Sequence, residues 1–196
     1  MRTRRILLAL PALYVLAIGA WAPAMAAEWN VVRLMQGLAQ KAGGSVAFVE
    51  RKYIAILDRP VESSGVLVYQ PPARLEKRTL LPKPESLVLD GNLLVVERGR
   101  NRFTLQLQQY PEITAIVDSI RDTLSGDLNA LERNYRVELR GNIESWVLTL
   151  LPSDPRIGAI VLRIDMSGAG STLRQIDMLL ADGDRSVMTI NAITSR

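Results

Sequence analysis

Alternation of apolar and polar side chains is the most frequent pattern in this chain. Phe103, Leu105 and Leu107 are separated by single threonine or glutamine residues, and this period of two predicts a strand with one dry and one polar face. Further extended segments are predicted at residues 46–57, 65–69, 74–80, 86–89, 93–97, 135–139, 146–150, 160–166, 173–180 and 185–193.

Two regions follow helical spacing instead. Residues 29–41 place four apolar side chains on one face, and Gly43-Gly44 ends the helix. A second helix begins at Pro111 and ends before Gly126, and Asp127 is predicted to cap a short third helix. The apolar stripe of the second helix consists of Ile113, Ile116, Val117, Ile120 and Leu124.

Short turns connect most of the predicted strands. Asp90-Gly91-Asn92 and Asp182-Gly183-Asp184 are typical hairpin turns, and such connections are too short for parallel crossovers. The prediction is an α+β fold in which a barrel-like, strongly curved antiparallel sheet of about 10–11 strands carries helices on one side. No repeat or linker is evident, so residues 27–196 are interpreted as one domain.

The first 26 residues have the character of a secretory signal peptide. Arg2, Arg4 and Arg5 precede an apolar stretch, and Ala24-Met25-Ala26 fits a cleavage site. The alternative is a membrane anchor, although the apolar run is shorter than the ~20 residues that a span requires. Export predicts a bacterial periplasmic location. Without this segment the net charge falls from +4 to about +1, which favours no nucleic-acid partner.

The chain contains no cysteine and no histidine. Thiol nucleophiles, disulfides, Cys/His zinc sites and histidine bases are thereby excluded. Asp182 and Asp184 could form a carboxylate pair, but a plain hairpin turn explains them better. The expectation is a protein that is not an enzyme and that uses neither a metal nor a cofactor.

The remaining candidate for function is apolar surface. If the helix that begins at Pro111 covers the concave face of the sheet, its apolar stripe lines a pocket for acyl chains. The alternative is that the same stripe closes an ordinary packed core. Pattern alone leaves both interpretations open.

The order of motifs resembles the outer-membrane lipoprotein carrier family, the LolA-like proteins. Phe48-x-Glu50 opens the first long strand, and Ser-Gly-Val-Leu-Val-Tyr-Gln-Pro-Pro follows at 64–72. Next come Leu-Val-Leu-Asp-Gly-Asn-Leu-Leu at 87–94, the helical insert, and Trp-x-Leu-x-Leu-x-Pro at 146–152. The resemblance covers nearly all of residues 27–196.

The resemblance implies an incomplete barrel with a helical lid over an apolar cavity. It further implies a monomeric periplasmic carrier that takes an acylated lipoprotein or lipid from an inner-membrane transporter and gives it to an outer-membrane acceptor. Leu67, Tyr69 and Leu75 would point into the cavity, and the stripe of the second helix would belong to the lid. The other candidates for the cavity wall are Phe103, Leu105, Leu107, Trp146, Leu148, Leu162 and Ile164.

One position departs from the family pattern. Housekeeping carriers have an arginine before the proline that ends the second strand, where it ties the lid, and this chain has Pro71 there. Aromatic positions downstream are replaced by Leu75 and Lys77. Alternative functions are therefore a carrier of another amphiphile, such as a glycolipid or a polyene-type lipid, and a periplasmic domain that senses lipids or lipoproteins.

Overall fold

The structure is a computed structural model that describes residues 28–41 and 43–192. The predicted signal peptide lies outside the described residues, as does the end of the last predicted strand at Ile193. No helix in the described part of the chain is long and apolar enough to cross a membrane.

Eleven strands and four α-helices make up the described residues, in the chain order α1, β1–β6, α2, α3, β7, β8, α4, β9–β11. The helices are α1 (Val31–Ala39), α2 (Pro111–Ser125), α3 (Leu128–Asn134) and α4 (Pro155–Gly158). The strands are β1 (Gly44–Tyr53), β2 (Val61–Gln70), β3 (Arg74–Leu81), β4 (Glu85–Asp90), β5 (Leu93–Arg98), β6 (Asn101–Gln106), β7 (Tyr135–Asn142), β8 (Ser145–Pro152), β9 (Val161–Ala169), β10 (Thr172–Leu180) and β11 (Arg185–Ala192).

All the strands belong to one curved, open sheet with the order β6-β5-β4-β3-β2-β1-β11-β10-β9-β8-β7. Every pair of neighbours is antiparallel. This confirms the predicted fold class. Strands β6 and β7 form the two free edges although they follow each other in sequence, so the segment that contains α2 and α3 must run from one edge to the other.

Three boundaries differ from the sequence prediction. The first strand ends at Tyr53 rather than continuing to Leu57, because residues 54–60 turn into β2. Leu107 belongs to a 3₁₀ turn at Leu107–Gln109, where its amide donates to the Asn92 carbonyl and leaves the β5–β6 ladder. The predicted strands at 146–150 and 160–166 are separated by α4 (Pro155–Gly158), which Asp154 caps.

Local sequence explains how α2 is placed. Pro111 occupies the first turn, where a missing N–H removes no helical hydrogen bond. Gly126 ends the helix with a positive φ of 74°. A Cβ at this glycine would lie 2.4 Å from the Met35 carbonyl oxygen, so α1 and α2 approach each other closely at this point.

The hydrophobic core lies between the helices and strands β7–β10. Trp146, Leu148 and Leu150 of β8 are almost wholly buried, as are Ile164 and Met166 of β9. Leu34, Met35 and Leu38 of α1 pack against the same cluster. We refer to strands β7–β9 with these helix contacts as the packed half of the sheet.

Candidate functional site

A cavity of about 450 Å³ lies over the rest of the concave face. Its volume falls within the range of about 300–1,000 Å³ that is typical of ligand-binding pockets. Strands β1–β5, β10 and β11 form the wall, and α2, which we call the lid, faces them. The aliphatic side chains that line it include Leu67, Leu75, Leu87, Leu89, Leu94, Val117, Ile120, Leu124, Ile176, Met178, Met188 and Ile190.

Strand register brings the apolar side chains of the wall into rows. Tyr69 lies opposite Leu75, Leu75 opposite Leu89, and Leu89 opposite Leu94, which makes one row across β2–β5. Residues directly opposite each other point to the same face of a sheet. Of these side chains only Leu89 is fully buried, while the others stay partly exposed, because none of the residues that the structure describes fills the space above them.

The lid presents two different faces. Val117, Ile120 and Leu124 line the cavity at helical spacing. The opposite face buries the smaller Ser119 and Thr123, whose hydroxyl groups donate to helix carbonyl oxygens at 2.7 Å. Small side chains on the face toward α1 permit the close helix contact, and the larger aliphatic side chains are left for the cavity.

A polar contact connects the lid with the sheet. Arg121 Nη1 donates to the carbonyl oxygen of Gly91 in the β4–β5 turn at 3.3 Å, and its guanidinium pairs with Asp118 at 2.7 Å. Burial raises the pKa of Tyr69, which lines the cavity, and the positive charge of Arg121 opposes that rise. Arg121 of the lid therefore contacts the sheet. The resemblance to the housekeeping carriers places an arginine at position 71, and this chain has a proline there.

The lid also carries a carboxyl group that titrates near neutrality. Burial raises the pKa of Asp122 from 3.8 to about 6, and the neighbouring Asp118 adds to the rise, while Arg121 opposes it. The folded protein therefore holds a proton between pH 4 and 6 that the unfolded chain has lost, and the free energy of unfolding falls as pH rises through this window.

We expect the Asp122→Asn protein to lack this decrease. Urea unfolding of both proteins at pH 4, 5, 6 and 7 measures it, because the stability advantage of the variant should grow up to pH 6 and then stay constant. Asp58→Asn, at an exposed position in the β1–β2 loop, controls for the loss of a charge. A variant advantage that is the same at all four pH values contradicts the assignment.

One polar cluster interrupts the aliphatic wall. Glu50 of β1 is 5% exposed, and its carboxylate accepts hydrogen bonds from Lys77, Ser63 and Ser186, the latter two at 3.3 and 2.7 Å. Burial raises the pKa of Glu50, but the charge and hydrogen bond of Lys77 outweigh it, so the pKa lies below its ordinary value. Lys52 Nζ lies 3.9 Å from the same carboxylate.

Six of the predicted site residues line the cavity. Three are in the sheet (Leu67, Tyr69 and Leu75) and three in the lid (Val117, Ile120 and Leu124). The other nine positions do not, for two different reasons. Ile113 and Ile116 are among these nine, and both lie in the lid.

Several of the remaining candidates are part of the packed half. Trp146, Leu148 and Ile164 are at most 1% exposed and belong to the same core cluster as the buried side chains of α1, and Ile116 packs against this core. Leu107 is equally buried in the 3₁₀ turn. These side chains are therefore part of the core and do not line the cavity.

The others lie at the periphery. Phe103 is 57% exposed, and Leu105 is partly exposed on the same edge strand, which the lid does not cover. Leu162 is 48% exposed because a register shift between β9 and β10 leaves it unpaired between Val161 and Arg163, out of the regular alternation of the strand. Ile113 lies in the first turn of α2 and is 37% exposed.

Sequence reasoning missed part of the wall. Leu87, Leu89 and Leu94 come from the predicted hairpin, where alternation and the Asp-Gly turn already placed them on one face. The β10 and β11 contributions, such as Ile176 and Met188, follow from the pairing of β1 with β11. Glu50 and Lys77 were noted in the comparison with the family's motifs but were not predicted to line the cavity. Within residues 28–41 and 43–192, no group of three acidic side chains is placed to hold a metal ion.

An open antiparallel half-barrel with a helix over an apolar cavity defines the class of this protein. A family model described as "Outer membrane lipoprotein carrier protein LolA-like" matches residues 22–194, and the chain belongs to this family. The resemblance drawn from the motifs is thereby confirmed. A comparison with curated protein sequences gave no match.

Solved structures with a similar fold come from several bacteria. A LolA superfamily protein from Nitrosomonas europaea is 10% identical, with a TM-score of 0.45 over 86% of this chain and 96% of that one. The MucA/MucB complex of Pseudomonas aeruginosa gives 14% identity and a TM-score of 0.46 over 85% of this chain and 58% of the other. Lipoprotein LppX from Mycobacterium tuberculosis is 12% identical, with a TM-score of 0.42 over 85% and 97% of the two chains.

Proposed function

We propose that this protein is a periplasmic carrier that shelters the acyl chains of a lipid or lipoprotein in the cavity beneath α2. The observation that supports this most directly is the cavity itself, which has a volume of about 450 Å³ and a mainly apolar surface. Family membership supports the same function.

Burial of hydrocarbon is sufficient to hold such a cargo. Each methylene removed from water contributes about 0.8 kcal/mol, so a chain of moderate length binds without any covalent step. In this proposal the protein makes and breaks no bond in its cargo. The partially exposed side chains of the wall give the acyl chain a route from solvent into the cavity.

The proposal includes transfer between two membranes. An inner-membrane transporter would load the carrier and an outer-membrane acceptor would unload it. Export to the periplasm rests on the signal-peptide character of residues 1–26. The cargo is an acylated lipoprotein or another amphiphile with long hydrocarbon chains.

Filling the cavity should abolish binding. Leu67→Trp places a large ring in the wall, and we expect the affinity for N-phenyl-1-naphthylamine, an uncharged apolar dye, to fall at least about tenfold because the dye and the ring compete for the same space. Fluorescence titration of the purified protein measures this. Native mass spectrometry of protein purified from bacterial envelopes should detect bound lipid in the unmodified protein.

Val66→Trp is the matched control. Val66 neighbours Leu67 in β2 but points to the opposite face of the sheet, so the same added bulk leaves the cavity unchanged. The proposal is wrong if the unmodified protein binds neither dye nor lipid, or if both tryptophan variants bind the dye equally well.

A further inference from the structure

The buried ion pair in the cavity wall has no evident structural purpose. Glu50 lies on β1 and Lys77 on β3, and both strands are already held by backbone hydrogen bonds to β2 between them. Moving charges out of water is expensive, and an ion pair is often no more stabilising than apolar side chains of similar size. A function in binding is therefore the better explanation.

The two charged groups differ in how many of their possible hydrogen bonds they make within the protein. The Glu50 carboxylate accepts from Lys77 and from two serine hydroxyl groups. A lysine ammonium group has three N–H donors, and among the described residues Lys77 makes a hydrogen bond to Glu50 alone. Two donors of Lys77 remain for a ligand, whereas the carboxylate is already occupied.

Phe48 and Glu50 hold the ammonium group in place. The Lys77 Nζ atom lies 5.1 Å from the centre of the buried Phe48 ring, a geometry that favours the cation. The side chain of Lys77 is 22% exposed and lines the cavity, so its ammonium group is accessible from the ligand space. Lys52 lies near Glu50 as well, and the three side chains together carry one net positive charge.

The polar cluster stands at one end of an elongated space. Gly44 and Glu50 both line the cavity and both belong to β1. Six residues of extended strand span about 20 Å. Between them the wall is apolar, with Val46, Leu67 and Ile190 along this distance. A long hydrocarbon chain with a polar group at one end matches this arrangement.

We propose that Lys77, held by Glu50 and Phe48, is the binding site for the head group of the cargo, and that this head group is a carboxylate on a long hydrocarbon chain. This inference rests on the proposed function, since it assigns a ligand class to the same cavity. An anion balances the single excess positive charge of the cluster, which a neutral ester cannot do.

Laurate and methyl laurate test the inference, because they share the hydrocarbon chain and differ in the charge of the head group. Each is used to displace N-phenyl-1-naphthylamine from the full chain. Hydrogen bonds to charged groups contribute about 1.5–3 kcal/mol. We expect laurate to bind the unmodified protein at least about tenfold more tightly than methyl laurate.

The double variant Glu50→Gln/Lys77→Met removes both charges and leaves neither one unpaired. It should bind laurate and methyl laurate with similar affinity, because the positive charge that distinguishes the two compounds is removed from the cavity wall. Arg51→Met/Glu62→Gln is the matched control, because it removes an ion pair of 2.9 Å between the same β1 and its neighbour β2 on the exposed face. The control should keep the preference for laurate.

Two failures can be told apart. The head-group assignment is wrong if the double variant keeps the preference of the unmodified protein for laurate. It is also wrong if the unmodified protein binds laurate and methyl laurate equally. In both cases the cavity still binds hydrocarbon. If the unmodified protein binds neither compound nor the dye, the proposed function is wrong as well. A double variant that does not unfold cooperatively is replaced by Glu50→Gln/Lys77→Gln, which keeps hydrogen-bonding groups at both positions but no charge, and the same loss of preference is required.

Discussion

A Gly65→Ala substitution is expected to lower the free energy of unfolding by more than about 3 kcal/mol. Gly65 is buried in β2, and a Cβ built at this residue would lie 1.9 Å from the Arg78 carbonyl oxygen and 2.9 Å from the Thr79 Cα. Both obstacles are backbone atoms of β3. Strands β2 and β3 would have to separate in the wall of the cavity, where a register shift between Ser64 and Gly65 already makes their pairing irregular.

Gly44→Ala is the appropriate comparison. Gly44 also lies in a strand that pairs with β2, but a Cβ built there meets nothing within 4 Å. We expect its effect to stay within about 1 kcal/mol, because an added methyl group without a clash mainly restricts the unfolded chain. Urea unfolding of both variants followed by circular dichroism provides the measurement. Equal midpoints for the two variants would contradict the close approach of β2 and β3.

Local pattern was sufficient to predict most elements of the fold. Alternation identified the strands, and the Asp90-Gly91 turn joined β4 to β5 as expected. Pro111 and Gly126 marked the two ends of α2 as predicted. Each of these signals depends on residues within a few positions of one another. The pairing of β1 with β11, which brings the first and the last strand together in the middle of the sheet, has no local signal of this kind.

The candidate site was only partly predictable for the same reason. Alternation gives the face on which a side chain lies but not its position across the sheet. Leu67 and Leu148 are both inward apolar residues of a strand, yet one lines the cavity and the other is fully buried beneath the helices. The difference depends on where α1, α2 and α3 pack, which is a property of the tertiary structure.

The burial of charged residues was not predicted. A strand of mixed polarity such as β1 suggests a face exposed to water, and Glu50 and Lys77 gave no reason to expect burial. The strand register shows that both alternate with residues of the outer face, so both point inward. Their opposite charges reduce the cost of burying them. The two residues belong to different strands and are 27 positions apart in the sequence.

Adjacent residues of the lid should respond differently to the same substitution. Val117→Glu places a carboxylate in the cavity wall, and we expect a folded protein whose affinity for N-phenyl-1-naphthylamine falls at least about tenfold, since an unpaired charge in an apolar pocket disfavours an apolar ligand. Ile116→Glu instead places the charge against the core, and we expect its free energy of unfolding to fall by about 2–4 kcal/mol.

Val117→Thr is the control for the first variant because it keeps the shape of the side chain and adds no charge. Fluorescence titration with the dye and urea unfolding, applied to all three proteins, separate the loss of binding from the loss of stability. We expect a selective binding defect in Val117→Glu and a stability defect in Ile116→Glu. If Val117→Glu binds the dye as the unmodified protein does, or if Ile116→Glu is as stable as Val117→Thr, the orientation of the lid over the cavity is wrong, because the two faces of α2 are what distinguish these neighbours.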